Sequence, residues 1–289
     1  MKKFILKHKV LTVIILLLLA FTSWTIYSNL TIGITNYNVS LDKIPNNFNG
    51  FKIAHVSDYH NAHFALNNDY LVSMIEKEKP DIIALTGDIV DSHHTDVDVS
   101  IALVEKLVNV APCYYITGNH EAWLGEVYDK LEERMIELGV IVLRNETVQI
   151  KKGGEHINII GIDDPDFGPP STYIDDKTKI SDSISMALMN NYVEGYNILL
   201  SHRPEVFDSY VENDMDLVLV GHAHGGQVRL PFVGGVVAPD QGFFPKYDAG
   251  RFDEDNTTMI ISRGIGNSII PVRVNNQPEL VMIELNTNS

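Results

Sequence analysis

Five short segments of this chain end an apolar run in residues able to hold a metal ion. They are Asp58-Tyr59-His60, Gly87-Asp88, Gly118-Asn119-His120, Ser201-His202 and Gly221-His222-Ala223-His224. Each is commonplace alone, since Asp-X-His arises by chance and Gly-Asp is a frequent turn. Together they offer carboxylate, amide and imidazole donors, which suit Mn²⁺, Fe or Zn²⁺. One shared carboxylate can hold two such ions about 3.5–4 Å apart. No thiol takes part, which excludes a structural zinc knot. The single cysteine, Cys113, excludes an internal disulfide and reads as a small buried hydrophobe.

The elements that must position these residues are legible from periodicity. Apolar strands are expected over 51–57, 81–86, 114–117, 196–200 and 217–220, each running straight into one of the five segments. Helical spacing follows at Leu66, Tyr70, Leu71, Met74 and Ile75, at Val99, Leu103, Val104, Leu107 and Val108, and at Leu124, Val127, Leu131, Met135 and Leu138. Strands alternating with helices imply βαβ units and a parallel sheet, which exposes chemistry at the carboxyl ends of its strands. Beyond Gly139 the reading is strands over 140–143, 147–150 and 156–162, with Lys151-Lys152-Gly153-Gly154 as a hairpin turn. A long loop over 161–177, a short helix over 184–189 and strands over 227–230, 258–262 and 280–284 complete it. No shift of composition divides residues 50–289, so they are expected to form one domain behind a polar connection over 31–49 that holds a short lead strand and a linker.

Residues 1–30 differ from the rest. Lys2, Lys3, Lys7 and Lys9 precede an uncharged apolar run from Val10 to about Tyr27, with Trp24 and Tyr27 at its far end. At about 1.5 Å per residue that run spans a hydrocarbon core, and its flanks favour an uncleaved transmembrane anchor over a cleaved signal peptide. Lysines stay on the cytoplasmic side, so the domain is expected outside the cell membrane, on a single-pass anchor. The segment holds four of the 22 basic residues and none of the 38 acidic ones; the remainder, 18 basic against 38 acidic, carries −20. So acidic a surface argues against nucleic acid as a partner and against electrostatic docking on anionic lipid.

Over about residues 50–285 the chain resembles the calcineurin-like metallophosphoesterases, in particular their membrane-associated bacterial branch, which includes relatives of the lipid-A pathway pyrophosphatases. The five segments carry the likeness, with Leu143-Arg144-Asn145-Glu146, Gly225-Gly226-Gln227 and Ser262-Arg263-Gly264-Ile265-Gly266. Glu121 stands where the family's commonest loop has Asp, and Tyr59 replaces an aliphatic residue. The resemblance implies a four-layer α/β/β/α sandwich of two mixed sheets with a dinuclear site at one edge. It assigns Asp58, His60 and His224 to one divalent ion, Asn119, His202 and His222 to the other, and Asp88 to both. A metal-bridging hydroxide would attack phosphorus while His120, not a ligand, serves the leaving oxygen. Arg203, Arg229 and Arg263, with Arg273, are candidate contacts for substrate phosphate, because arginine pairs its donors with phosphate oxygens. Of the other histidines, His55 is expected in the core and His63, His93, His94 and His156 toward solvent, with His63 and the His93-His94 loop placed where they could border the cleft. Glu121 is expected neither to bind metal nor to transfer a proton. The substrate would be a phosphodiester or pyrophosphate, lipid- or wall-linked or a small molecule. The rival from another class is a non-catalytic metal-binding module on the same fold.

Overall fold

The computed structural model describes residues 2–63, 68–168, 174–189, 191–267 and 271–288. Leu66 and part of the expected 161–177 loop lie outside the described residues. The chain opens with helix α1 (Lys2–Leu30). Its stretch His8–Leu30 has a mean hydropathy of 2.2 and is almost wholly exposed, so it is long and apolar enough to cross a membrane.

Two six-stranded mixed sheets follow. The first contains β1 (Gly33–Ser40), β2 (Phe51–Val56), β3 (Ile82–Thr86), β4 (Cys113–Ile116) and β5 (Ile141–Val142). The second contains β6 (Glu146–Lys152), β7 (Glu155–Gly161), β8 (Tyr196–Leu200), β9 (Leu217–Val220), β10 (Gly250–Glu254) and β11 (Thr257–Ile261). The last strand, β12 (Glu279–Asn286), returns to the first sheet, giving the orders β1-β12-β2-β3-β4-β5 and β10-β11-β9-β8-β7-β6. In the first, β2, β3, β4 and β5 run parallel; in the second, β7, β8, β9 and β11 do.

Strands buried on both faces need apolar residues at every position, and the alternation of side chains then separates the layers. Ile53, Ala84, Ile198 and Leu219 meet between the sheets. Ala54, Ile83 and Leu85 face outward onto α2 (Asp69–Glu78), α3 (Val97–Leu107) and α5 (Glu126–Glu137) through Leu71, Ile75, Val104, Leu107 and Leu131. Leu199, Val218 and Val220 face the other way, onto α6 (Asp176–Met189) and α7 (Phe207–Glu212) through Ile180, Ile184, Phe207 and Tyr210. The result is the α/β/β/α sandwich expected. Cys113 is buried, and burial pushes its thiol up to about 12.

Several elements depart from expectation for identifiable reasons. The lead strand expected within 31–49 is β1, and it is longer than a short lead: Gly33 to Ser40 pair in continuous register with β12, a backbone partner that a polar local sequence does not reveal. β10 carries Arg251, Asp253 and Glu254 on a sheet edge, where charge is tolerated and masks strand character. α6 begins at Asp176, eight residues before the expected short helix, because its first two turns present only Ile180 inward. The helix expected from Leu124 is preceded by a separate short one, α4 (Asn119–Trp123), with Gly125 between it and α5.

Candidate metal centre

The carboxyl ends of both sheets meet at one edge of the sandwich. β2, β3 and β4 run into Asp58 and His60, Asp88, and Asn119 and His120; β8 and β9 run into His202 and into His222 and His224. Asp58, His60, Asp88, His222 and His224 all adopt left-handed backbone, with φ of 50°, 47°, 52°, 64° and 48°. A non-glycine residue there costs on the order of 1–3 kcal/mol, a strain that collects at functional sites. Space is equally tight. A Cβ on Gly118 would strike Asp88, and one on Gly221 would strike Ser57 and Asp58, so glycine at these turns lets two ligand-bearing loops touch.

The donor atoms fall into two groups that share Asp88: Asp58, His60, Asp88 and His224, and Asp88, His202 and His222. In the first, His60 Nε2 lies 3.2 Å from His224 Nε2 and 3.6 Å from Asp88 Oδ2, and His224 Nε2 lies 3.5 Å from Asp58 Oδ1. In the second, His202 Nε2 lies 3.2 Å from Asp88 Oδ2. Metal–ligand bonds of about 2.0–2.2 Å place neighbouring donors roughly 3.0–3.5 Å apart in tetrahedral or octahedral sites, so the spacing fits divalent cations. His202 Nε2 and Asn119 Oδ1 are buried without a hydrogen-bond partner, as donors aimed at a cation would be. Burial drives His60 down to about 3 and His222 to about 4, so both are neutral bases at pH 7. Burial would raise the Asp88 carboxyl, yet the cationic His202 ring 3.2 Å away holds it well below the ordinary range.

A surrounding layer orients these groups. His202 Nδ1 donates to the Thr86 carbonyl at 2.8 Å, which turns Nε2 toward Asp88. Against burial, that carboxylate pushes the ring up to about 10, and a cation bound between them would displace the Nε2 proton. Asp240 holds His222 Nε2 at 2.9 Å. Asp91, also buried, accepts the N–H groups of His93 and His94 and lies 3.7 Å from His60 Nδ1. His120 Nδ1 accepts the Ser92 N–H at 3.0 Å, so the neutral ring carries its proton on Nε2. His55 is a core histidine on Thr86, as expected, whereas His156 is half-buried rather than solvent-facing.

Glu121 does more than its sequence suggested. Fully buried, its carboxylate accepts the N–H groups of Asp88, Ile89, Val90 and Gly118, bracing the β3 and β4 loops together. Burial and the Asp88 charge push its carboxyl up to about 7 against the pull of these N–H donors. Hydrogen bonds to a charged group contribute about 1.5–3 kcal/mol each, and the orphaned N–H groups add a desolvation penalty. Glu121→Ala should therefore cost at least about 3 kcal/mol in thermal or urea unfolding.

The arginines are largely committed to protein carboxylates. Arg203 lies at the wall of a cavity of about 460 Å³ lined by Asp88, Asn119, His120, Trp123 and His222. It grips Asp164 through Nε at 2.6 Å and Nη2 at 2.9 Å, and its Nη1 reaches Asp240 at 2.5 Å. Asp164 is completely shielded, so Arg203→Met should destabilise the fold by about 3–5 kcal/mol, read as a lowered melting temperature. Arg229 and Arg263 are outside the cavity lining and hold Asp248 and Glu279. Arg273 is buried behind His224 and donates to the carbonyls of Arg263 and Gly266. Asp164 and Asp240 were missed. Asp164 follows the end of β7, so the rule that found the other strand-end residues could have found it.

Residues 51–226 match the sequence model of the calcineurin-like phosphoesterase family. The chain is 31% identical over 268 residues to the metallophosphoesterase YkuE of Bacillus subtilis, covering 88% of this chain and 86% of that one. It is 30% identical over 246 residues to the phosphodiesterase YaeI of Escherichia coli, covering 81% and 82%. A transmembrane protein with a metallophosphoesterase domain from Bos taurus is 27% identical over 265 residues, 88% of this chain and 57% of that one. That likeness and the apolar α1 together suggest a single-pass membrane protein. Matched over more than half its length and carrying clustered carboxylates and histidines in a cavity, the chain belongs to the calcineurin-like phosphoesterase family of hydrolases.

Proposed function

We propose that this protein is a membrane-tethered phosphoesterase holding two divalent cations in the shared donor groups. Asp58, His60 and His224 would hold one, Asn119, His202 and His222 the other, and Asp88 both. The observation that carries the reading is the placement of Asp88 in both groups, inside a cavity whose wall bears a histidine outside either ligand set. Bound there, divalent cations would polarise phosphoryl oxygens and supply a water acidic enough to ionise near neutral pH.

The chain's own residues do the rest. Asp88 and Asp58 offset cationic charge, and the neutral imidazoles leave the centre net positive for an anionic substrate. His120 directs its Nε2–H at the departing oxygen as a hydrogen-bond donor that stabilises the charge developing there. Trp123, against the His120 ring at 5.0 Å between centroids, shields that proton on one side. The substrate is a phosphodiester or pyrophosphate, in keeping with the name of the Escherichia coli relative, and a lipid- or wall-linked one suits the anchor. Residues 50–289 act as one catalytic domain together with β1, α1 tethers it, and the lysines ahead of α1 place it on the outer face.

The test is hydrolysis of an aryl phosphodiester by the full chain in detergent, with and without Mn²⁺. Metal-stimulated turnover is expected. Bound metal with no turnover of any mono-, di- or pyrophosphate ester would leave only a metal-binding module.

A further inference from the structure

Six large apolar side chains stand out from loops beside the cavity: Leu230, Phe232, Val233, Phe243, Phe244 and Val272. Phe232 is fully exposed and Phe243 is 76% exposed. Leu230 to Val233 cap a two-stranded ribbon in which Arg229–Leu230 pair with Gly234–Gly235. Phe243 belongs to a second ribbon, Val237–Ala238 paired with Gly242–Phe243. Main-chain bonds join the two: the Val236 N–H donates to the Val228 carbonyl and the Phe244 N–H to the Val236 carbonyl, both at 2.8 Å. The Arg229 N–H donates to Val274 at 3.0 Å. Arg273 next to it exchanges two bonds of 2.7 and 2.9 Å with the Asn29 side chain, in the last turn of α1. One hydrogen-bonded layer thus runs from the end of the apolar helix to both aromatic tips.

Single exposed apolar residues are ordinary, but a cluster tied to a membrane-spanning helix marks an interaction surface. We propose that the two ribbon tips and Val272 insert into the interface of the bilayer that α1 crosses, making a second membrane contact beside the anchor. Aromatic and aliphatic side chains settle at the headgroup–acyl boundary without help from charge, and a chain of net charge −16 has none to offer an anionic surface. The tether makes the contact intramolecular, so even weak insertion is populated. Val237 and Ala238, on the strand opposite Phe243, line the cavity. Insertion therefore holds the cavity wall at headgroup level, where a phosphoester in the bilayer surface can enter. This rests on the membrane-tethered part of the proposed function and not on turnover.

The experiment places a spin label at Phe232→Cys or Phe243→Cys in the full chain, reconstituted in phosphatidylcholine–phosphatidylglycerol vesicles. The native cysteine is buried and does not compete for label. Collision with oxygen, which partitions into lipid, is compared with collision with a water-soluble nickel chelate. Both sites should show an oxygen-to-nickel ratio severalfold above that of a label at Met186→Cys on exposed α6. A ratio equal to that at Met186 overturns the proposal. Shielding from both reagents overturns it too, since that is the signature of a second protein copy covering the patch. A chain without hydrolytic activity would leave these readings unchanged, so failure of the catalytic reading is separable.

Discussion

Asp88→Ala empties the metal centre and reduces turnover by about 10³-fold or more. Asp88 is buried, and it alone belongs to both donor groups. Its Oδ2 faces His202 and His60, while its Oδ1 accepts the backbone N–H of His120 at 2.9 Å. Removing it withdraws the one carboxylate able to keep two cations adjacent. Lewis-acid stabilisation by bound metal is worth several kcal/mol, and about 1.4 kcal/mol corresponds to tenfold in rate. Because Asp88 also joins the loops of β3 and β4, alanine risks a folding defect. Asp88→Asn keeps the shape and the acceptor for His120 while removing the charge. Metal content by elemental analysis, aryl phosphodiester hydrolysis and circular dichroism should be measured on both. Metal loss with a native spectrum in Asp88→Asn is the expected result; full metal content with near-normal turnover would refute the bridging role.

How much of this could be read from the chain depends on where each residue's determinants lie. Strand ends such as Thr86-Gly87-Asp88 are local: a continuous apolar run forces a strand, and the glycine and acid that follow mark its exit. The pairing of β1 with β12 and the edge position of β10 are non-local, so the sequence shows only a short lead strand for the first and no strand for the second. The left-handed backbone at Asp58, His60, Asp88, His222 and His224 was equally illegible, because residue type alone disfavours it. Only the surrounding structure over-determines it. The bracing by Glu121 and the place of Asp164 are not legible because these carboxylates hold other loops, and a sequence names no partner for a carboxylate. The arginines are a different case. Their type suggested phosphate, but the acids that claim Arg229 and Arg263 are distant in the chain.

His120→Ala should retain the metals and lower turnover by about 10²–10⁴-fold, the usual magnitude of acid catalysis. The structure makes the role specific to one atom. The Ser92 N–H and hydroxyl both lie 3.0 Å from Nδ1, and a backbone N–H can only donate, so Nδ1 carries the lone pair and Nε2 the proton. Burial holds the ring below its ordinary pKa, so the neutral form is resident at pH 7 and its Nε2–H acts as a hydrogen-bond donor to the charge that develops on the leaving oxygen. The loss should therefore depend on the leaving group. With a nitrophenolate, which departs without a proton, His120→Ala loses little; with an alkyl alcohol, whose oxygen must be protonated, it loses the full factor. The His120 ring also packs edge-on against His60 with 4.5 Å between centroids, so His120→Gln serves as the variant that fills the space without the acid. Equal losses for both leaving groups would point to misplacement of His60, and a site emptied of metal in His120→Gln would make His120 a ligand. A loss that grows with leaving-group pKa, at unchanged metal content, assigns the proton to Nε2 of His120.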